Sequence, residues 1–544
     1  MNQLSSYSEK LGTASAAHLL RRASYGSAPK DIRHFAGLTA AEAIRELKKS
    51  AQTIPPPIDT ATGKSWLPAR KNTNSPESHL RRFTLYTWLD HMLRQRNSLR
   101  SRMVFFLHSH FTTLQSRANY GSALYYQLKL FEHFALGNFK ELAIRVCSDQ
   151  AMLMNLDGRY NRKESPNENF AREFLELYSI GKGTQSGTGD DSFYTEHDVK
   201  EAAKVFSGFY IDESFRQHID PQTGIPMGRM LQYPDGEPTQ HDFSVKTFSS
   251  KFGNRKISPK AKTYQGVQQE IREFVEMVFS QEETARHICR KLYRFFVYHH
   301  ISEETESKVI APLASIFRNN NYSLEPVLDT LLSSRHFFDA GVSNSQHRIA
   351  ATLVKSPLDL LGQMVQYFGI RLPEKSRMEA FYALYGELST WMEKMGIYLY
   401  EPPDVAGYTA YHQAPDFNRN WISASTLAHR YKLAGSLMSG IRRREYAGVI
   451  KVDVMAFVND PVNVSDPAEA DQMVRELSSG LLARPLPEER ISYFLHAVLL
   501  DGLSPKAWKM EWQHYRKSGD DRAVRRQLEN LCIKMMQSPE YQLF

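Results

Sequence analysis

The sequence predicts a mainly α protein: a large multi-helix globular body with a small antiparallel β excursion and a loop-rich cover. Three observations carry this. Apolar residues recur at helical spacing through most of the chain. Many of those segments bring their own capping and stop residues. Turn formers, by contrast, gather in residues 209–263 and 396–421. Among the 544 residues, 42% are hydrophobic and 24% charged, enough apolar material for a large core. The organisation expected is N-terminal helices and a proline linker (1–58), a helical core with a polar site (59–423), and a C-terminal helical segment packed on that core (424–544).

Residues 14–26 read as a short helix carrying an arginine pair and closed by Gly26. A second helix follows from Thr39 to about Lys49, with Thr39 and Glu42 as a capping box. Three prolines within 54–58 read as a polyproline linker or wrap. LRRFTLYTWLDHMLRQ (80–95) is an amphipathic helix. LRSRMVFFLHSHFTT (99–113) places His108 and His110 at the end of an apolar run, so both must be hydrogen-bonded or ligated. On a helix, residues two apart point about 160° from each other. A chelating His108–His110 pair therefore requires the helix to end near Leu107; otherwise they are core histidines.

Residues 120–134 and 139–153 form a helix pair. The next stretch, 165–208, concentrates ionisable groups on two short helices. Ser165, Pro166 and Glu168 read as a capping box with proline in the first turn, and Gly181 as the stop. Phe170, Phe174, Leu175 and Tyr178 share one face; Glu168, Arg172, Glu173 and Glu176 share the other. Glu173 and Glu176, three apart, can converge, and Glu168 and Arg172, four apart, can pair. Thr195 and Asp198 cap the second helix, and Gly208 ends it. This polar face is either solvated or turned into a polar interior, where helical proteins build metal and proton-transfer sites.

The β excursion at 209–263 carries the dipeptide His241-Asp242. Helices follow at about 264–279, 282–299, 303–320 and 323–335. RHICRKLYRFFVYHH (286–300) reads as packing with a solvated basic side. Another helix starts after Ser356–Pro357, 396–421 forms an ordered wrap able to line a pocket, and the tail is helical apart from 456–468.

Several function classes are disfavoured. The net charge of +8 is mild for this length, and only Arg442–Arg443–Arg444 clusters, as a solvated helix end, so no nucleic-acid partner is expected. Cys147, Cys289 and Cys532 are too far apart for a zinc pattern. No apolar stretch reads as a signal peptide or a transmembrane segment. No nucleophile elbow, P-loop or dinucleotide fingerprint occurs.

Eight segments together resemble the bacterial family catalogued as domain of unknown function 1800: HLLRRASYG (18–26), MVFFLHSHFTT (103–113), PNENFAREFLELYSIG (166–181), YTEHDVKEAAKVFSGF (194–209), HDFSVKTF (241–248), HICRKLYRFFV (287–297), KSPLDLLG (355–362) and PPDVAGY (402–408). Two positions depart from the family pattern, Leu107 and Tyr408 standing where tryptophan is usual. The loop between the two central helices is also longer than usual. The resemblance implies an envelope or secreted setting and a second exported protein, encoded nearby, as partner. It also centres attention on the HxH, on Asn167 to Glu176, and on His241-Asp242.

Two readings follow. In the first, the chain is a metal-dependent enzyme, hydrolytic rather than redox. His108, His110, His241 and Glu173 would hold a divalent zinc, manganese or iron, with Glu176 a further ligand or base. Arg172 would orient an anionic substrate, and Asp242 would fix the tautomer of His241. In the second, it is a non-catalytic scaffold binding a protein or glycan, its polar residues forming a buried salt-bridge network around Arg172. A metal-free acid–base enzyme is a third reading.

Overall fold

Local signals place most helices. Thr39 and Glu42 close their capping box, the Thr39 amide donating to Glu42 at 2.9 Å, and the helix Ala40–Lys49 follows. Thr195 with Asp198, and Ser356 with Asp359, do the same for Glu196–Val205 and Pro357–Tyr367. The computed structural model describes residues 3–26, 28–49, 52–69, 72–183, 193–339, 353–443, 445–446 and 448–544. It is mainly α, with two two-stranded antiparallel sheets, Phe209–Tyr210 with Arg229–Met230 and Lys246–Thr247 with Lys256–Ile257. Both lie in the predicted excursion. Among the described residues no helix is long and apolar enough to cross a membrane.

Other boundaries move for identifiable reasons. The predicted helix 139–153 breaks after Val146, because Asp149 caps a new helix, Gln150–Asn155, by accepting from the Met152 amide. The Ser165 capping box does not form. Asn167 instead accepts from the Asn169 amide at 3.0 Å, and the helix begins at Asn169, with Glu168 before it making no side-chain cap. The link between the two central helices lies mostly outside the described residues, as does Arg444. The arginine cluster follows the helix Ala424–Ser439, and its Arg443 pairs with Glu387 at 2.6 Å. The proline stretch is a wrap: the Ile54 amide donates to Glu132 at 2.7 Å, and the Ile58 amide and carbonyl both bond the Tyr382 hydroxyl.

One hydrophobic cluster runs from Leu11 to Tyr541. Buried arginines tie distant parts of the chain through it. Arg22 donates to the carbonyls of Phe296 and Phe544, Arg21 to that of Leu482, and Arg430 to Gln542 and the Lys355 carbonyl. Arg102 forms an ion pair with Asp359, both almost fully buried, and its guanidinium lies 4.7 Å from the Phe295 ring centre. The first helix, the last residues and the centre of the chain are thereby held together.

Candidate functional site

The predicted ligands do not share one site. The helix Leu99–His110 continues through both histidines, so the condition for a chelating pair fails, and the two rings point away from each other. His108 is buried among Trp88, Tyr400 and Phe105, and neither ring nitrogen has a hydrogen-bond partner among the described residues. Burial drives its pKa down to about 3, so the ring is neutral. His110 does reach the helix that bears the glutamates, but through its backbone. Its Nε2–H donates to the Tyr178 carbonyl at 3.1 Å, and its Nδ1 accepts from Lys291 Nζ at 3.3 Å. Both nitrogens are engaged by the protein.

His241 lies in a third place. Its Nδ1 bonds the Ser207 carbonyl at 2.9 Å, and its Nε2 stands 3.4 Å from Glu270. Lys246 pairs with the same Glu270, and all three side chains are fully buried. Gly208 admits this packing: at φ +90° it lies where a Cβ would stand 2.8 Å from the His241 amide nitrogen. The hydrogen bonds of the Asp242 carboxylate go to Ser244, at 2.7 Å from its amide, rather than to the His241 ring. Burial opposes ionisation of Asp242, but the Ser244 hydrogen bonds and the nearby lysines outweigh it and hold its pKa below the usual value. Nearby, Asp198 and Glu201 accept from the amides of Ser249 and Thr247, so this cluster fastens the second hairpin to the helix Glu196–Val205. Among the described residues no group of three or more His, Cys, Asp or Glu is placed to hold a metal ion.

The acidic face is half-buried. Arg172 makes a bidentate pair with Glu196, at 2.5 and 2.8 Å, and a longer one with Glu168 at 3.4 Å. Glu176 accepts from Tyr194 at 3.3 Å and lies 3.6 Å from Lys182. Glu173 is pushed up to about 7, first by burial and then by the charge of Glu176.

The helix below these acids ends in a way the sequence did not disclose. Residues Phe174–Tyr178 form a π-helical turn, which leaves carbonyls needing outside donors. Ser179 Oγ donates to the Phe174 carbonyl at 2.6 Å, and the Gly181 amide to that of Leu175 at 2.9 Å. Lys291 Nζ donates to the Leu177 carbonyl at 2.8 Å, and His110 to that of Tyr178. His287, one turn before Lys291, packs on Gly181, where φ is +85° and a Cβ would stand 2.7 Å from His287 Nδ1. Burial holds His287 at about 3.

Lys291 borders a crevice of about 20 Å³, room for about one water, lined also by Ser109, His110, Ala406, Tyr411 and His412. It makes no ion pair among the described residues, and burial, helped by Arg294, lowers its ammonium to about 7. His412 Nε2 lies 3.5 Å from Asp404. Lys291, His287, Ser109 and His412 were missed by sequence reasoning. A signal existed, because 287 and 291 are four apart and share a helix face, but so do many solvated basic residues.

Four of the segments quoted above meet here: 103–113, 166–181 and 287–297 directly, and 402–408 through Ala406. No curated protein and no solved structure matches the chain. The family model described as "Protein of unknown function (DUF1800)" matches residues 18–543, nearly the whole chain, and the protein therefore belongs to that family.

Proposed function

We propose that the crevice at Lys291 is a metal-free catalytic centre, with the lysine amine as base or nucleophile toward the carbonyl end of a small ligand. The observation that carries this is the lysine's placement: at the edge of a crevice and, among the described residues, without a carboxylate partner and bonded only to the Leu177 carbonyl and the neutral His110 ring. Desolvation without a counter-charge favours the free amine, which can take a proton or add to a carbonyl. His110 accepts from Lys291 and keeps it aimed. The crevice admits only a small group, so the rest of a ligand would lie outside it, toward Ala406 and His412. Metal-assisted hydrolysis through His108, His110, His241 and Glu173 receives no support from this geometry, because the imidazoles are dispersed and two of them are already engaged.

Competitive amine labelling of the whole protein across pH, read by mass spectrometry, tests the proposal. Lys291 is expected to titrate near pH 7. Borohydride with a small aldehyde probe such as glyoxylate should fix an adduct on Lys291, and none on this peptide in Lys291→Met. Titration near the ordinary lysine value of about 10.4, with no adduct, would reject it.

The scaffold reading keeps one specific support. Lys291 and His110 close the carbonyls opened by the π turn, and Arg172 bridges two helices through Glu168 and Glu196. Under that reading Lys291→Met loses stability while the parent protein shows no labelling at neutral pH.

A further inference from the structure

A cationic surface lies elsewhere, in a cavity of about 580 Å³ where the N-terminal helices, the end of the helix Pro357–Tyr367 and the C-terminal segment meet. Lys30, Arg96, Arg371 and Lys451 line it, and none of the four makes an ion pair or side-chain hydrogen bond among the described residues. Two carboxylates also stand on its wall, neither within ion-pair distance of these four. Asp453 accepts from the Ala456 amide and lies 3.6 Å from Arg525, and Asp460 accepts from the Val462 amide. The rings of Tyr367, Phe368 and Phe457, packed 5.0 and 5.1 Å apart, supply an apolar wall.

Four cations around one concavity repel one another, and none of them is in an ion pair with a carboxylate among the described residues. An anion bound there would remove that repulsion and gain charge-assisted hydrogen bonds from two guanidinium forks. The volume matches sites that enclose small organic ligands. We propose that this cavity binds a soluble organic polyanion that joins an aromatic or apolar part to two or more negative charges, as a nucleoside polyphosphate does. The charged end would lie among Arg96, Arg371, Lys30 and Lys451, and the flat part against Tyr367 and Phe457. The site shares no residue with the Lys291 crevice and does not depend on it.

Calorimetric titration of the full chain with ATP in chelator tests this, with adenosine and pyrophosphate as the two halves of the probe. ATP is expected to bind more tightly than either half, and to weaken from about 50 mM to about 200 mM salt. Arg96→Ala with Arg371→Ala should weaken ATP by about tenfold or more. Both arginines are exposed, so the double variant should fold as the parent does, checked by circular dichroism. Arg522→Ala, on an exposed arginine paired with Asp520, should leave binding unchanged. Absence of ATP binding, or equal binding in the double variant, would overturn the proposal. Residue-dependent binding to anionic vesicles but not to ATP would overturn it in favour of a membrane surface.

Discussion

Two lysines with depressed ammonium groups, Lys291 and Lys355, are held in opposite ways. Lys355 is fully buried, with its ammonium 3.7 Å from the Tyr541 ring centre and no hydrogen-bond partner among the described residues. Burial, with Arg21 and Arg430 close by, drives its pKa well below the usual value. Around it buried side-chain contacts join remote parts of the chain: Arg22 to Phe544, Arg430 to Gln542, Arg102 to Asp359. Lys291 is partly exposed, borders a crevice, and caps a carbonyl of a π turn. Low dielectric depresses both amines, so depression alone does not mark a functional lysine. Access to solvent and hydrogen-bond acceptors at the edge of a crevice separate the two.

That contrast can be tested from its strongest side downward. Arg102→Met leaves Asp359 buried without its counter-charge and should cost about 3–5 kcal/mol in chemical denaturation. The Lys291 crevice should remain intact in whatever fraction still folds. Gly181→Ala should cost about 2 kcal/mol, because the new Cβ meets His287 at a positive φ, and a smaller loss would mean that the π turn is less constrained than its contacts imply.

Lys291→Met should lower stability at pH 7 by only about 1 kcal/mol, since an apolar side chain of similar length replaces a desolvated amine. Its clearer signature is in pH dependence. The folded-state value near 7 lies below the ~10.4 of an unfolded lysine, so between them the unfolded chain binds the extra proton. Stability therefore rises as pH increases from about 7 to about 10, and Lys291→Met should remove that slope. Glu173 works in the other sense. Its folded value near 7 exceeds the unfolded ~4.3, so stability contributed by its protonated form is lost as pH rises through that window, and Glu173→Gln should flatten the decline. The smallest effect is expected at the half-exposed Arg172, where Arg172→Ala should cost about 1 kcal/mol or less, measured at moderate salt.

The acids, the imidazoles and the basic helix were all visible as residue types, but their partners were not. Thr195 with Asp198, or Ser356 with Pro357, act within one turn, so adjacent residues suffice to predict them. His108 and His110 look equivalent in the sequence; only the continuation of the helix past Leu107 sends one into an aromatic cage and the other to Tyr178 and Lys291. Arg172 was legible as a partner of Glu168, while its stronger partner, Glu196, comes from the next helix.

By itself the sequence determined the helical class, the place of the β excursion, several caps and the family, because these depend on spacing and on residues close along the chain. Tertiary structure alone decided which charged groups meet. Lys291 reaches Leu177 across 114 positions and Arg22 reaches Phe544 across 522. No local periodicity encodes such distances; packing of the helices sets them, and with them the dielectric that each ionisable group experiences.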